Sequence, residues 1–219
     1  MNIARSLERR LERLLEGVFG RVFSGRLHAS EIAGRVAREA DLTRFEHESG
    51  PATANQYTLT FNPIDIDDED SSLAASLTDT FAEYVIESGL RLVGPPRVIV
   101  WTSGDVVPGS FLCHPEIVPG TEAVWARLVG SAATYPIRHN RSVIGRSDAA
   151  DVTIPADDVS RVHALIWRAE GSIWIKDLGS INGTVVDSMG VGQTPVQIST
   201  GSIVRLGTQT FRFLLGSDA

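Results

Sequence analysis

Ile144-Gly145-Arg146-Ser147, Ser160-Arg161-Val162-His163-Ala164 and Asp177-Leu178-Gly179-Ser180-Ile181-Asn182-Gly183-Thr184 decide how this chain of 219 residues is read. They are three short polar clusters at the ends of alternating apolar runs. Around them, strand patterns cover 125–129, 135–137, 142–145, 151–154, 163–168, 172–177, 184–186, 196–198, 203–206 and 210–215. Short strands at such even spacing, with Gly-rich turns and no helical period, predict an all-β sandwich over residues 123–219. The clusters lack the chemistry of a catalyst. Their two arginines, serine hydroxyl and asparagine amide suit an anionic peptide group instead. Gly-Arg-Ser alone means little, and Asn-Gly-Thr alone is an ordinary hairpin turn. The specificity lies in the order and spacing, 14 residues from 146 to 160 and 22 from 160 to 182.

Composition narrows the function further. Hydropathy is ordinary for a soluble chain, and no run reaches the roughly 18 apolar residues of a membrane span. The opening Met1-Asn2-Ile3-Ala4-Arg5 leads into a charged helical pattern and not the apolar core of a signal peptide. Cys113 is alone, so no internal disulfide forms, which fits a reducing compartment and places the chain in the cytoplasm. Only one basic residue, Lys176, is a lysine. Residues 1–120 hold 11 arginines against 18 carboxylates, and residues 121–219 hold nine basic against nine acidic, so the whole net charge of −7 falls in the first half. Such a surface repels phosphate backbones and argues against nucleic-acid binding there.

The first half is patterned differently. Ile3, Leu7, Leu11, Leu14, Leu15, Val18, Val22 and Phe23 recur at helical spacing, with arginines and glutamates between them, as for a core-facing helix with a solvated face. Gly25 breaks the pattern, and Ser30 is the expected N-cap of a second helix carrying Ile32, Val36 and Ala40. A turn at 53–55, a strand over 57–61 ended by Pro63, and a helix over 72–88 with Leu73, Leu77, Phe81 and Val85 follow, with Gly89 as its cap. Strands are expected at 90–93, 97–101 and 111–114. Residues 1–116 therefore read as a small α+β domain, helices packed on a three- to four-stranded sheet, joined through a short linker at 117–122 to the sandwich.

Rival chemistries fare poorly. The run Asp65-Ile66-Asp67-Asp68-Glu69-Asp70 lacks the glycine and final glutamate of a calcium loop, and carboxylates ahead of a helix suit its dipole. The five histidines, 28, 47, 114, 139 and 163, are scattered, so no metal or cofactor is expected. Ser160 and His163 lack a carboxylate spaced to orient the imidazole, which argues against a hydrolase and for a non-enzyme. A KH-like RNA-binding first half would need a Gly-x-x-Gly clamp, and there is none.

The three clusters together resemble the forkhead-associated (FHA) domain, a β-sandwich that binds phosphothreonine through the loops at one end. The resemblance implies that Arg146, Ser160, Arg161 and Asn182 hold the ligand. Arg146 offers a fork for two phosphate oxygens, Ser160 a short hydroxyl donor, Arg161 a second positive charge and Asn182 an amide for the peptide backbone. Gly145, Ser147, His163, Gly183 and Thr184 are expected to support the site: Gly145 through a close approach or an unusual φ, His163 by bracing the Ser160 loop. Ile181 departs from the pattern, since some members place a Ser or Thr there that touches phosphate. The segment Val186-Asp187-Ser188-Met189-Gly190 lacks an Asn-Gly turn, so a longer hairpin is expected. The first half resembles the N-terminal domain of actinobacterial FHA-domain proteins of the FhaA type, on Leu7-Glu8-Arg9-Arg10-Leu11-Glu12, Phe19-Gly20-Arg21-Val22-Phe23 and Asn55-Gln56-Tyr57-Thr58-Leu59. By that resemblance the chain is a phosphothreonine-binding adaptor in Ser/Thr kinase signalling. Its partner would be a threonine-phosphorylated protein, either a kinase or its substrate, with a link to cell-envelope synthesis. The alternatives are a phospho-independent FHA-fold scaffold or oligomerisation protein, and nucleic-acid binding through the first half.

Overall fold

The computed structural model describes residues 27–66 and 72–216. The helix expected over 3–23, the break at Gly25 and most of the acidic run lie outside the described residues. The chain divides into two compact units. The first takes Met1–Glu46, Pro51–Ser88 and Leu92–Gly120; the second takes His47–Gly50, Gly89–Arg91 and Thr121–Ala219. None of the described helices is long and apolar enough to cross a membrane.

In the first unit, α1 (Ala29–Leu42) begins earlier than the sequence suggested. His28 is extended, and its carbonyl accepts from the N–H groups of Glu31 and Ile32 at 3.0 and 3.3 Å. That places the boundary at His28, and Ser30 falls inside the first turn instead of capping it. Ile32, Val36 and Ala40 form the buried face. A short ribbon, β1 (Phe45–His47) with β2 (Gly50–Ala52), follows α1. Strand β3 (Gln56–Phe61) then turns Tyr57, Leu59 and Phe61 inward by simple alternation. Next comes α2 (Ser72–Glu87), which buries Leu73, Leu77, Phe81 and Val85; Gly89 after it sits at φ +62°, where glycine is unstrained. Strand β4 (Arg97–Thr102) runs parallel to β3, and β5 (Phe111–Glu116) antiparallel to it. A parallel pair needs a crossover, which α2 supplies by packing on β4, while α1 packs on α2 and β5. Tyr57 meets Phe81 edge to face at 4.8 Å between centroids.

The sheet has three strands, and the strand expected at 90–93 is not part of it. Leu90, Arg91 and Leu92 are all buried in succession, so there is no solvated face to alternate with, and Pro95-Pro96 removes two backbone donors next to them. Buried Asn55 latches this unit. Its amide donates to the carbonyls of Pro95 and Val118, both at 3.0 Å, and accepts from the Val118 N–H at 2.8 Å.

The second unit is a β-sandwich. One sheet runs in the order β14 (Val196–Ile198), β11 (Ser172–Asp177), β10 (Ala164–Ala169), β8 (Arg141–Gly145), β9 (Val152–Thr153). The other runs β13 (Met189–Val191), β12 (Thr184–Val186), β15 (Ile203–Leu206), β16 (Gln209–Leu215), β6 (Ala126–Val129), β7 (Thr134–Ile137). Ile144, Ile166 and Ile175 from the first sheet, and Leu128, Val204, Leu206 and Phe213 from the second, meet in a fully buried core. Each such side chain contributes about 1.5–3 kcal/mol on burial.

The β12–β13 hairpin is short. Val186 pairs directly with Met189, leaving a two-residue turn in which Asp187 and Ser188 both have positive φ, 45° and 76°. Positive φ at both central residues is the signature of the tight turn that matches strand twist. The longer hairpin expected from the missing Asn-Gly pair is therefore not formed, because Asp and Ser adopt the same conformation. Asp187 Oδ1 also accepts from the Ile203 N–H at 2.7 Å, which holds the turn in place.

Candidate functional site

Strand register gathers the three polar clusters at one end of the sandwich. Ile144 pairs with Ala164, and Ala164 with Asp177, so β8 ends, β10 begins and β11 ends side by side. On the facing sheet Thr184 pairs with Leu206, which brings the start of β12 and the end of β15 to the same margin. The loops that follow border an open cleft of about 740 Å³.

Two backbone segments are laced together beneath it. Arg146 N–H donates to the Ser160 carbonyl at 3.0 Å, Ser147 N–H to the Arg161 carbonyl at 3.4 Å, and His163 N–H to the Ile144 carbonyl at 2.9 Å. Gly145 makes this possible. A Cβ there would lie 2.1 Å from the Arg161 carbonyl oxygen. Its backbone has no positive φ, so of the two reasons for glycine the close approach holds.

His163 is completely buried. Its Nδ1 accepts from the Ser160 N–H at 3.0 Å, and its Nε2 lies 3.1 Å from the Gly183 carbonyl. An accepting Nδ1 leaves Nε2 to carry the hydrogen, so the neutral ring ties the Ser160 loop to the Asn182 loop. Ser160 Oγ accepts from the Ile181 N–H at 3.0 Å, which leaves its own hydrogen available to the cleft. Asn182 Nδ2 donates to the Asp158 carbonyl at 2.8 Å, with the amide oxygen uncommitted among the described residues.

Arg146, Ser147, Ser160, Arg161 and Asn182 line the cleft. Gly145, His163, Gly183 and Thr184 lie behind it. Both guanidiniums are exposed, and neither has an ion pair or a side-chain hydrogen bond among the described residues. The arrangement presents two free cations, a hydroxyl donor and an amide to one opening. Among the described residues no group of three or more His, Cys, Asp or Glu side chains stands ready for a metal ion.

Two carboxylates that the sequence did not single out shape these loops. Asp177 accepts from the N–H groups of Gly179 and Ser180 at 2.8 and 2.7 Å, and from the hydroxyls of Ser180 and Thr184 at 2.6 and 2.7 Å. Burial raises its pKa, but the hydroxyl and N–H donors outweigh it and hold the carboxyl below its ordinary value. The Asp-Leu-Gly-Ser order is an Asx-turn signal that could have revealed it. Asp158 accepts from both the N–H and the hydroxyl of Thr208, and these bonds lower its carboxyl to about 2. Gly207 beside it, at φ +60°, leaves room for this approach. Fifty residues separate Asp158 from Thr208, and nothing local announces the pair.

Against this geometry, the family model for the FHA domain matches residues 142–207, so the sandwich is an FHA domain. The model for the FhaA N-terminal domain matches residues 5–114, half of the chain, and the chain belongs to the FhaA family. The FHA domain-containing protein FhaA of Mycobacterium tuberculosis is 37% identical over 79 residues, which are 36% of this chain and 14% of the length of that relative. The fold is similar to the FhaA FHA domain complexed with the intracellular domain of Rv3910, at 33% identity and TM-score 0.36, covering 42% of this chain and 99% of that one. It is also similar to Mycobacterium tuberculosis EmbR in complex with a low-affinity phosphopeptide, at 29% identity and TM-score 0.40, covering 44% of this chain and 26% of that one.

Proposed function

We propose that this chain is a non-catalytic adaptor that binds threonine-phosphorylated protein, with Arg146, Ser160, Arg161 and Asn182 as the binding residues. The observation that carries the reading is that two exposed guanidiniums, without side-chain partners among the described residues, line one cleft with a serine whose hydroxyl hydrogen is unused. A phosphothreonine brings about −1.5 to −2 charge and three acceptor oxygens, which this set complements. Three or four charge-assisted bonds at about 1.5–3 kcal/mol each, less ordering costs, leave roughly −6 to −9 kcal/mol, or affinity around micromolar. Such strength suits a reversible signalling contact.

The partner class we propose is a Ser/Thr kinase, a kinase substrate or an envelope-biosynthesis protein carrying phosphothreonine, a reading that the similarity to FhaA supports. Two domains, 1–116 and 123–219, serve this role, and cytoplasm is the compartment that fits the lone Cys113. Burial raises that thiol to about 11 and keeps it unreactive.

Titration of a degenerate phosphothreonine peptide pool and its unphosphorylated counterpart by fluorescence anisotropy tests the reading. The phosphorylated pool alone is expected to bind at micromolar concentration. Arg146→Ala is expected to weaken that binding roughly 10- to 100-fold, from the loss of one charged grip. Because its side chain is exposed and has no partner among the described residues, the substitution should leave unfolding within about 0.5 kcal/mol of wild type. Equal binding of both pools, or an Arg146→Ala variant that binds as well as wild type, would favour the phospho-independent scaffold.

A further inference from the structure

We infer that the outer face of the β4–β3–β5 sheet is a self-association surface that takes a second copy of this chain; the inference stands apart from the phosphopeptide reading. Strand register assembles this face in rows. Trp101, Thr60 and Leu112 lie side by side at one end, and Arg97, Gln56 and Glu116 at the other. The alternate residues Tyr57, Leu59, Phe61 and Val98 are buried on the side where α1 and α2 pack. On the outer side Trp101 is 61% exposed and Leu112 63%, and Arg97 and Glu116 are exposed as well. A single exposed apolar residue is ordinary on a protein surface. Here a tryptophan and a leucine share one row with only a threonine between them, and the far row carries one charge of each sign.

The pattern is complementary to itself. A two-fold axis laid along β3, in the plane between two such faces, sets β4 of one copy over β5 of the other and keeps each row at its own height. Trp101 then faces the partner's Leu112, Arg97 faces the partner's Glu116, and each contact occurs twice. Arg97 has no side-chain partner among the described residues, and the Glu116 carboxylate accepts from the Gln56 amide at 2.9 Å, so both charges are left to pair across the face. An axis across the strands would instead set Leu112 against the partner's Glu116. Packed sheets cross at about −30°, which displaces the corners of so small a face by only about 4 Å, within reach of Arg and Glu side chains.

The size of the face sets the strength. Three strands about 4.8 Å apart and five residues at about 3.3 Å each give a footprint of roughly 14 by 17 Å, far below the roughly 800 Å² that each partner buries in a stable complex. The pair is therefore weak and reversible, and it forms where the chain is concentrated. Such a contact gains most when two copies are already held close, because it then becomes intramolecular.

The experiment is sedimentation equilibrium of the full chain from about 0.02 to 0.5 mM at about 0.1 M salt. The average mass is expected to rise with concentration from that of one chain toward that of two. Arg97→Glu sets a like charge against the partner's Glu116 and should weaken association roughly tenfold or more. Glu116→Arg should do the same, and the double exchange of Arg97→Glu with Glu116→Arg should restore it. Trp101→Thr, which keeps a strand-forming residue, should also shift the chain toward monomer. Thermal unfolding of each variant separates loss of association from loss of fold. A chain that stays monomeric at about 0.5 mM overturns the inference. Lowered stability in Trp101→Thr would then give the face to another segment of the same chain, and unchanged stability would give it to a different protein. Association that survives Arg97→Glu, or that the double exchange fails to restore, overturns it as well.

Discussion

Gly145 carries no side chain because a neighbouring backbone occupies the space where one would be. Its position 2.1 Å from the Arg161 oxygen, measured to an ideal Cβ, is a contact with backbone, so no rotamer change relieves it. Gly145→Ala is expected to push the 144–147 and 160–163 segments apart. Overpacking of this kind costs about 1–3 kcal/mol, readable by chemical denaturation, and phosphopeptide affinity should fall with it. Unchanged stability together with full binding would show that the two segments are not coupled through this contact. Asp158 makes a second prediction. Its carboxyl is held at about 2, below the ordinary value of about 3.9, chiefly by the Thr208 hydroxyl and N–H. A depressed folded-state pKa means that its stabilisation is complete above the ordinary value and is lost as pH falls toward 2. The stability gap between wild type and Asp158→Asn should be flat above about pH 5 and narrow steadily between about pH 4 and 2. A gap independent of pH throughout that range would mean that the charge plays no part.

Strands 172–177, 184–186, 196–198 and 203–206 fall where alternation put them, because each has one face in the core and one in water. Where that contrast is missing, the pattern misleads. Residues 90–92 look like a strand, yet all three are buried. The polar clusters were readable from spacing, since strand register converts their order into adjacency at one margin of the sandwich. Asp158 and Thr208 were not, because only the closed fold brings them together. The β12–β13 hairpin shows the same limit within a local element. Turn chemistry pointed to a longer loop, while Asp187 and Ser188 take the left-handed conformations themselves. Left-handed backbone costs an ordinary residue about 1–2 kcal/mol, and glycine avoids most of that. Ser188→Gly at φ 76° should therefore raise stability by about 0.5–1 kcal/mol in thermal or denaturant unfolding. A loss of stability would mean that the Ser188 side chain contributes a contact that outweighs the strain.

The distribution of charge along the chain separates two kinds of phosphate. A nucleic-acid backbone is a long array of anions and samples a wide surface, so it feels the net −7. A single phosphothreonine feels what lies within a Debye length, about 8 Å at physiological ionic strength, and the cleft proposed to receive it is lined by Arg146 and Arg161. The same protein should therefore bind a phosphothreonine peptide and leave duplex DNA and RNA unshifted in a mobility assay at about 0.15 M salt. With the proposed grip by the exposed guanidiniums of Arg146 and Arg161, peptide affinity should also weaken several-fold as salt rises from about 0.1 to 1 M, where screening shortens to about 3 Å. A nucleic-acid shift under these conditions would require a basic surface on the acidic half that its composition does not supply. Peptide binding indifferent to salt would mean that buried or neutral contacts, and not the two arginines, hold the phosphate.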